Sequence, residues 1–221
     1  MKKKKSVIVD AILRIIKSFS NQKGNKGSSF KVILDKESLK ENLFFGSLPS
    51  YQLEPLEAIL NELYRRDVED IGIYAYVMAT AYHETARFKY KEEIGKGKGK
   101  DYGSYHTIIR GNRQRYYGRG WAQITWLRNY SKMSIKCSRA FDEEVDLVSY
   151  PNKVYEDHRV NAFIICEGML TGSFTGKNIY DYVDQFGPLD FVNARRVVNG
   201  TDNAQLIAGY ANKFLEALNG T

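Results

Sequence analysis

Hydrophobic positions recur at helical spacing along most of the chain. Two consecutive stripes predict two core helices: Leu53, Leu56, Leu60 and Leu63, followed by Ile73, Val77 and Ala81. The same spacing predicts further helices over residues 154–170, 178–186 and 203–218. Neither a βαβ alternation nor an internal repeat accompanies them, so dinucleotide-binding and P-loop architectures lack their scaffold. The pattern therefore predicts a mainly α fold.

Two segments depart from this helical pattern. Residues 1–29 combine a basic amphipathic stretch with a linker rich in Gly, Ser, Asn and Lys, so we expect an arm separate from a domain spanning residues 30–221. Residues 95–120 hold seven glycines and many charges with little periodicity, which predicts a long loop containing a short hairpin. Long loops inside a compact domain are usually functional.

Composition limits where and how the chain folds. Two cysteines among 221 residues cannot form a disulfide scaffold, and apolar neighbours surround both, so we expect buried free thiols and cytoplasmic synthesis. Asp10 and Arg14 interrupt the apolar run near the start and no cleavage site follows, so we expect no cleavable signal peptide. No stretch approaches about 18 apolar residues, so we expect no stable membrane insertion.

The net charge of +7 is distributed unevenly. Residues 85–139 carry 14 Lys and Arg against 3 Asp and Glu, a local charge of +11, whereas residues 41–84 and 140–221 are acidic. Such a basic segment predicts a surface that attracts a polyanion, either nucleic acid or an acidic cell-wall polymer. A set of solvated lysine-rich loops would give the same count, so charge alone leaves these alternatives open.

Familiar metal and phosphate motifs are absent from the sequence. The three histidines, His83, His106 and His158, lack ligand spacing, and we therefore expect no metal site. The glycine- and lysine-rich run at 95–100 has Asp101 where a phosphate loop needs Ser or Thr, and no apolar strand precedes it.

Glu84 lies at the end of the second predicted core helix. Its spacing from Val77 and Ala81 places it on the core-facing side. Burial raises the pKa of a carboxyl group, which suits a general acid that works near neutral pH. A structural carboxylate at the helix end, paired with Arg87, would explain the same position.

A second carboxylate, Glu92 or Glu93, follows at the edge of the glycine-rich loop. Glycoside hydrolysis requires two carboxyl groups, one protonated at the leaving oxygen and one ionised. The run YYGRGWAQITWLRNY, residues 116–130, then mixes rings suited to sugar stacking, such as Tyr117 and Trp126, with polar groups suited to hydroxyl recognition. Helical spacing predicts that its polar side chains share one face: Gln123, Thr125 and Asn129.

Four segments between residues 76 and 200 resemble the successive signature segments of glycoside hydrolase family 19, the family of chitinases and phage-type endolysins. They are YVMATAYHETARF, EEIGKGKGKDYG, YYGRGWAQITWLRNY and DFVNARRVVNG. The resemblance covers about residues 40–218. It implies a lysozyme-like α-helical fold with a deep substrate cleft, and an inverting mechanism that cleaves β-1,4 links to N-acetylhexosamines without metal or cofactor.

The resemblance also implies roles for individual residues. Glu84 matches the general acid of the family, and the carboxylate directly before Ile94 and Gly95 matches the base, which favours Glu93 over Glu92. The implied substrate-binding positions are Tyr117, Gln123, Thr125, Trp126, Asn129, Arg196 and Asn199. For Asn199, a helix stop before Gly200 is the structural alternative.

The compact segment between Glu84 and Glu93 and the scarcity of cysteine resemble phage lysins more than plant chitinases. We therefore expect a monomeric enzyme whose polysaccharide substrate is peptidoglycan, reached after release from the cytoplasm, with chitin as the alternative substrate. A wall-binding protein without turnover is a further alternative. Nucleic-acid binding through residues 85–139 is a third, although we expect no nucleic-acid partner.

Overall fold

The computed structural model describes residues 31–107, 113–184, 187 and 189–220, so the predicted arm over residues 1–29 lies outside it. The α-helices are α1 (Lys36–Asn42), α2 (Ser50–Arg65), α3 (Ile71–Glu84), α4 (Leu127–Phe141), α5 (Lys153–Glu156), α6 (His158–Leu170) and α7 (Ala204–Glu216). Short 3-10 helices cover Asp101–Gly103, Ile179–Asp181 and Asn193–Val197. The strands are β1 (Val32–Leu34), β2 (His106–Thr107), β3 (Arg113–Gln114) and β4 (Leu218–Gly220). The prediction of a mainly α fold is confirmed.

Helix α3 is the central element of the main hydrophobic core. Every residue from Gly72 to Tyr82 is buried, because no charged side chain interrupts this segment and a helix that is apolar all round must be enclosed. It packs against α7, α2 and α6. The Asp70 side chain caps its start by accepting a hydrogen bond from the Gly72 amide at 2.7 Å. The predicted stripe is confirmed, but burial extends around the whole helix.

The buried face of α2 is rotated relative to the prediction. Its centre is formed by Leu56, Ile59 and Leu63, whereas Leu53 and Leu60 are only half-buried at its edge. The leucine stripe places the helix correctly but misses Ile59, which is fully buried.

The later helices begin and end differently from the periodic pattern. The helix predicted over 154–170 is two helices, because the Asp157 side chain accepts hydrogen bonds from the Arg159 and Val160 amides and starts α6. Over 178–186 the described residues form only a 3-10 turn, after which Val183 bridges Leu189. The helix predicted to reach residue 218 ends at Glu216, and Leu218 instead pairs with Leu34 of β1.

A second, smaller core lies between α4, α5 and α6. Its largest fully buried side chains are those of Tyr116, Tyr130 and Met133. The free thiol of Cys137 lies in this second core and that of Cys166 in the main core, and both thiols are buried as predicted. Burial raises the pKa of the Cys137 thiol to about 12, so this thiol stays protonated and unreactive near neutral pH.

The glycine-rich loop folds over the second core as tight turns, a 3-10 helix and the β2–β3 hairpin, so the predicted short hairpin is confirmed. At the base of the loop, a Cβ atom on Gly103 would lie 1.8 Å from the Gly97 carbonyl oxygen. Only glycine permits that approach. No helix among the described residues is long and apolar enough to cross a membrane.

Candidate active site

Glu84 is the last residue of α3, and a buried arginine holds its carboxylate. The Arg195 Nη1 donates a hydrogen bond to Glu84 Oε1 at 2.6 Å, and the two residues lie 111 positions apart in the chain. The Arg195 side chain is 3% exposed and that of Glu84 is 19% exposed. Glu84 therefore lies at the rim of the core, nearer to solvent than the helical spacing predicts. Arg87, the partner considered from sequence, stacks on the Phe45 ring instead.

The chain leaves Glu84 through a strained turn. Three consecutive residues have positive φ: Ala86 at 47°, Arg87 at 66° and Phe88 at 62°. Each such residue costs roughly 1–2 kcal/mol because its Cβ crowds the following carbonyl. The Phe88 amide donates to Thr85 Oγ1 at 2.9 Å, and Gln52 Nε2 donates to the Arg87 carbonyl at 3.0 Å. These bonds hold the turn, as is common beside functional sites.

Glu93 lies on a segment that is hydrogen-bonded to Gly118. Its amide donates to the Gly118 carbonyl at 2.8 Å, and the Gly118 amide donates to Glu93 Oε2 at 3.1 Å. The Tyr102 hydroxyl donates to Glu93 Oε1 at 2.8 Å. Burial and this bond to Glu93 raise the pKa of Tyr102 to about 12, so the hydroxyl remains a donor at neutral pH. Glu93 is thus half-buried and oriented by neutral donors.

Glu92 has different partners from Glu93. Tyr117 donates to Glu92 Oε2 at 2.8 Å, and Lys96 Nζ lies 2.7 Å from Glu92 Oε1. Burial alone would raise the pKa of Glu92, but the bonds from Lys96 and Tyr117 outweigh it and lower that pKa. Glu92 is therefore engaged in an ion pair, whereas Glu93 is not paired with a cation within the described chain.

Of the predicted substrate-binding residues, Gln123 lies near Glu93 and Trp126 contacts Tyr102, the partner of Glu93. A Cβ atom on Gly118 would lie 2.8 Å from Gln123 Oε1 and 3.3 Å from the Cβ of Glu93, so Gln123 and Glu93 approach the same glycine. The edge of the Trp126 ring meets the Tyr102 ring at a centroid distance of 5.8 Å. Trp126 is 39% exposed, which leaves part of its ring available for stacking.

The polar residues predicted to share one helix face do not do so. Trp126 has a φ of 69° and α4 begins only at Leu127, so Gln123 and Thr125 precede the helix. Asn129, in the first turn, still reaches back, because its Nδ2 donates to the Thr125 carbonyl at 2.8 Å. Gln123 instead turns back to donate to the Gly120 carbonyl at 2.9 Å.

The remaining predicted residues lie on two other segments. Arg196 and Asn199 are exposed beside Arg195, where the Asn199 amide donates to the Arg195 carbonyl at 3.0 Å. Tyr117 is buried, holds Glu92, and has the Arg119 guanidinium 3.6 Å from its ring centroid. Substrate contacts of these residues stay predictions.

Sequence reasoning missed two residues of the site, Tyr102 and Arg195. Tyr102 follows Glu93 by nine positions in a loop without periodicity, so no pattern paired them. Arg195 and Arg196 are neighbours, and only the 3-10 geometry of Asn193–Val197 decides which of them turns inward. The arginines of the segment DFVNARRVVNG were the available signal, but the sequence analysis selected Arg196 and not Arg195.

Neither the cavities nor the metal-binding side chains of the described residues indicate a functional site other than the one formed by Glu84 and Glu93. One cavity of about 350 Å³ is lined by residues that include Asp67, Asp70 and Tyr180, and another of about 80 Å³ by residues that include Phe88 and Trp121. Neither is lined by Glu84 or Glu93, so the deep cleft stays a prediction. Within the described ranges no group of three or more His, Cys, Asp or Glu could hold a metal ion.

Comparisons with known proteins show the fold that carries this site. Neither a protein-family model nor a curated protein matches the sequence. Among solved structures, chitinase C from Streptomyces griseus is 20% identical with a TM-score of 0.54, covering 87% of this chain and 76% of that one. A family 19 class IV chitinase from Zea mays is also 20% identical, with a TM-score of 0.46 over 91% of this chain and 89% of that one. The chain thus shares the fold of chitinase C, and at the level of fold the family 19 resemblance is confirmed.

Proposed function

We propose that this protein is an inverting glycoside hydrolase in which Glu84 is the general acid and Glu93 is the general base. The observation that carries the proposal is how the two carboxylates are held. Glu84 and Glu93 lie at the two ends of the segment 84–93 and have different partners. Glu84 meets the buried guanidinium of Arg195, whereas Glu93 is oriented by the neutral donors Tyr102 and the Gly118 amide. Glycoside hydrolysis requires two carboxyl groups, and each of these two is held in place by its own partners.

The proposed reaction needs only side chains of this chain. Glu84 donates a proton to the leaving glycosidic oxygen, and the adjacent Arg195 stabilises the carboxylate that this step creates. Glu93 accepts a proton from the water that attacks the anomeric carbon from the opposite face, so the product has inverted configuration. Tyr102 and the Gly118 amide hold the Glu93 carboxylate in one orientation during this step.

We propose peptidoglycan as the substrate, with the bond cut being a β-1,4 link to an N-acetylhexosamine. The local charge of +11 over residues 85–139 supports an anionic polymer over neutral chitin. In this proposal the protein is made in the cytoplasm, reaches the bacterial wall after release, and acts as a monomer. The fold shared with a chitinase supports chitin as the second candidate substrate.

To test this proposal, the wild-type protein is incubated with purified peptidoglycan and, in parallel, with chitin oligomers. New sugar ends are then identified by mass spectrometry. New reducing ends on peptidoglycan glycan strands are the expected result. Cleavage of chitin oligomers without cleavage of peptidoglycan would mean that chitin is the substrate. Retained binding without new ends on either polymer would contradict the hydrolase proposal and leave a wall-binding protein.

A further inference from the structure

Two arginines without carboxylate partners share one exposed ring in the glycine-rich loop. The guanidinium carbons of Arg113 and Arg115 each lie 4.9 Å from the centroid of the Tyr105 ring. Tyr105 is 56% exposed, and neither arginine forms an ion pair with any residue that the structure describes. No described carboxylate compensates either positive charge beside this ring, so an anionic group outside the fold would be attracted to it.

This cluster continues the surface of the candidate active site. Tyr105 follows Tyr102 by three residues, and the Tyr102 hydroxyl donates to Glu93. Trp126 contacts the same Tyr102 ring and has the Arg128 guanidinium 5.8 Å from its own centroid. We call Tyr105, Arg113, Arg115, Trp126 and Arg128 the basic-aromatic surface. Arg115 also lies 5.5 Å from the centroid of the Tyr117 ring, whose hydroxyl donates to Glu92, so the surface adjoins the carboxylates of the site.

Three further cations of the same basic segment are already engaged within the protein. Lys96 pairs with Glu92 at 2.7 Å, and Lys136 pairs with Glu167 at 2.6 Å. Arg119 is buried and donates to Asn152 Oδ1 and to the Tyr130 hydroxyl. The stacked arginines of the basic-aromatic surface thus leave their charge available to a partner outside the fold.

We propose that the basic-aromatic surface binds carboxylates carried by the glycan strand that the enzyme cleaves, namely the free carboxylates of the peptides attached to peptidoglycan strands. The guanidinium fork matches a carboxylate in two parallel hydrogen bonds, and the rings supply stacking area for sugar faces. Continuity with Glu93 favours anionic groups of the same polymer over those of a separate one. This inference rests on the proposed function, because it assigns the substrate class of that site.

The test measures binding to insoluble peptidoglycan sacculi in a Glu84→Gln background, which prevents degradation. Three forms are compared: intact sacculi, sacculi whose carboxylates are amidated with glycinamide, and sacculi stripped of phosphate polymers. The test variant adds Arg113→Gln and Arg115→Gln. A matched control adds Arg139→Gln and Lys177→Gln, which remove the same charge from exposed positions elsewhere. Thermal melts verify that each variant folds.

We expect the Arg113→Gln, Arg115→Gln variant to bind intact sacculi about tenfold more weakly than the control variant and to lose most of its salt dependence. Amidation of the sacculi should weaken binding by the control variant by the same factor. Removal of phosphate polymers should leave its binding unchanged. Equal binding by the two variants, or no binding by either, would overturn the inference. A loss on phosphate removal alone would overturn it in favour of a wall phosphate polymer.

A separate readout distinguishes this inference from the proposed function. Arg113→Gln and Arg115→Gln, placed in the wild-type background, should leave the hydrolysis rate of neutral oligomers within about twofold, because these oligomers carry no carboxylate. Release of new ends by the wild type tests the proposed function itself. Hydrolysis with unaltered binding by the double variant would therefore reject the inference alone.

Discussion

Glu84 and Glu93 differ most in what lies next to their carboxylate oxygens. Arg195, which is 3% exposed, holds Glu84, while a hydroxyl and a backbone amide hold Glu93. His83, beside Glu84, has its pKa lowered by burial, so its ring is neutral near pH 7 and adds no second positive charge there. At the scale of single residues, the site is thus a pair of carboxylates with one adjacent guanidinium.

Glu84→Gln tests the general-acid role through the leaving group. We expect hydrolysis of unmodified oligosaccharides to fall by roughly 10²–10⁴-fold, whereas a 2,4-dinitrophenyl glycoside, whose leaving group needs no proton, should still be cleaved. Gln keeps an oxygen acceptor for Arg195, and Glu54→Gln serves as the control for loss of an exposed carboxylate. An equal loss on both substrates would make Glu84 a positioning residue.

Parallel substitutions of Glu92 and Glu93 decide between the two candidate bases. Glu93→Gln should lose roughly 10²–10⁴-fold in turnover, because Gln cannot accept the proton of the attacking water. Glu92→Gln should stay within a few-fold of wild type, since Glu92 is occupied by Lys96 and Tyr117. The measurement is the turnover rate of each variant on the same substrate. An inactive Glu92→Gln beside an active Glu93→Gln would reverse the assignment.

At the scale of elements, a largely buried ion-pair network joins α2, α4 and α6. Glu167 accepts hydrogen bonds from Arg66 at 2.7 Å and from Lys136 at 2.6 Å, and Arg66 also pairs with Glu62. Burial alone would raise the pKa of Glu167, but the two bonds outweigh it and lower that pKa. A carboxyl pKa below its unfolded value contributes stability above about pH 4.3, which is lost as pH falls through the folded pKa.

Glu167→Gln should therefore destabilise the fold in a pH-dependent manner. We expect the free energy of unfolding to fall by about 3 kcal/mol at pH 7, because the cations of Arg66 and Lys136 lose their counter-charge. The difference from wild type should shrink as pH falls below about 4. Glu57→Gln, which breaks a partly exposed pair with Lys36, should cost about 1 kcal/mol or less. Denaturant melts across pH measure both, and a pH-independent loss would contradict this account.

Helical periodicity predicted the elements but not their ends. It placed α2, α3, α6 and α7, because a helix that buries one face repeats its apolar residues every three or four positions. It missed the break at Asp157, where one side chain caps two amides, and the positive φ of Trp126 that precedes α4. Such breaks depend on single side-chain bonds and backbone angles, which a periodic pattern does not contain.

At the scale of the whole molecule, the sequence singled out Glu84 and Glu93 as candidates but did not predict the groups that hold their carboxylates. The bond between Arg195 and Glu84 joins residues 111 positions apart, and it depends on how the 3-10 helix at 193–197 packs near the end of α3. The distribution of charge was predictable as a count over residues 85–139. The structure was needed to show that Lys96, Lys136 and Arg119 are engaged within the protein and are not free to bind an external anion.

Inverting hydrolysis by Glu84 and Glu93 is the central claim, and proton NMR of the first product tests it most directly. Spectra of the anomeric protons are recorded in the first minutes after wild type or Glu84→Gln is added to a soluble glycan substrate. We predict that wild type releases the α anomer before mutarotation and that Glu84→Gln releases none. Initial release of the β anomer, equal turnover by Glu84→Gln, or no product from wild type would contradict the account.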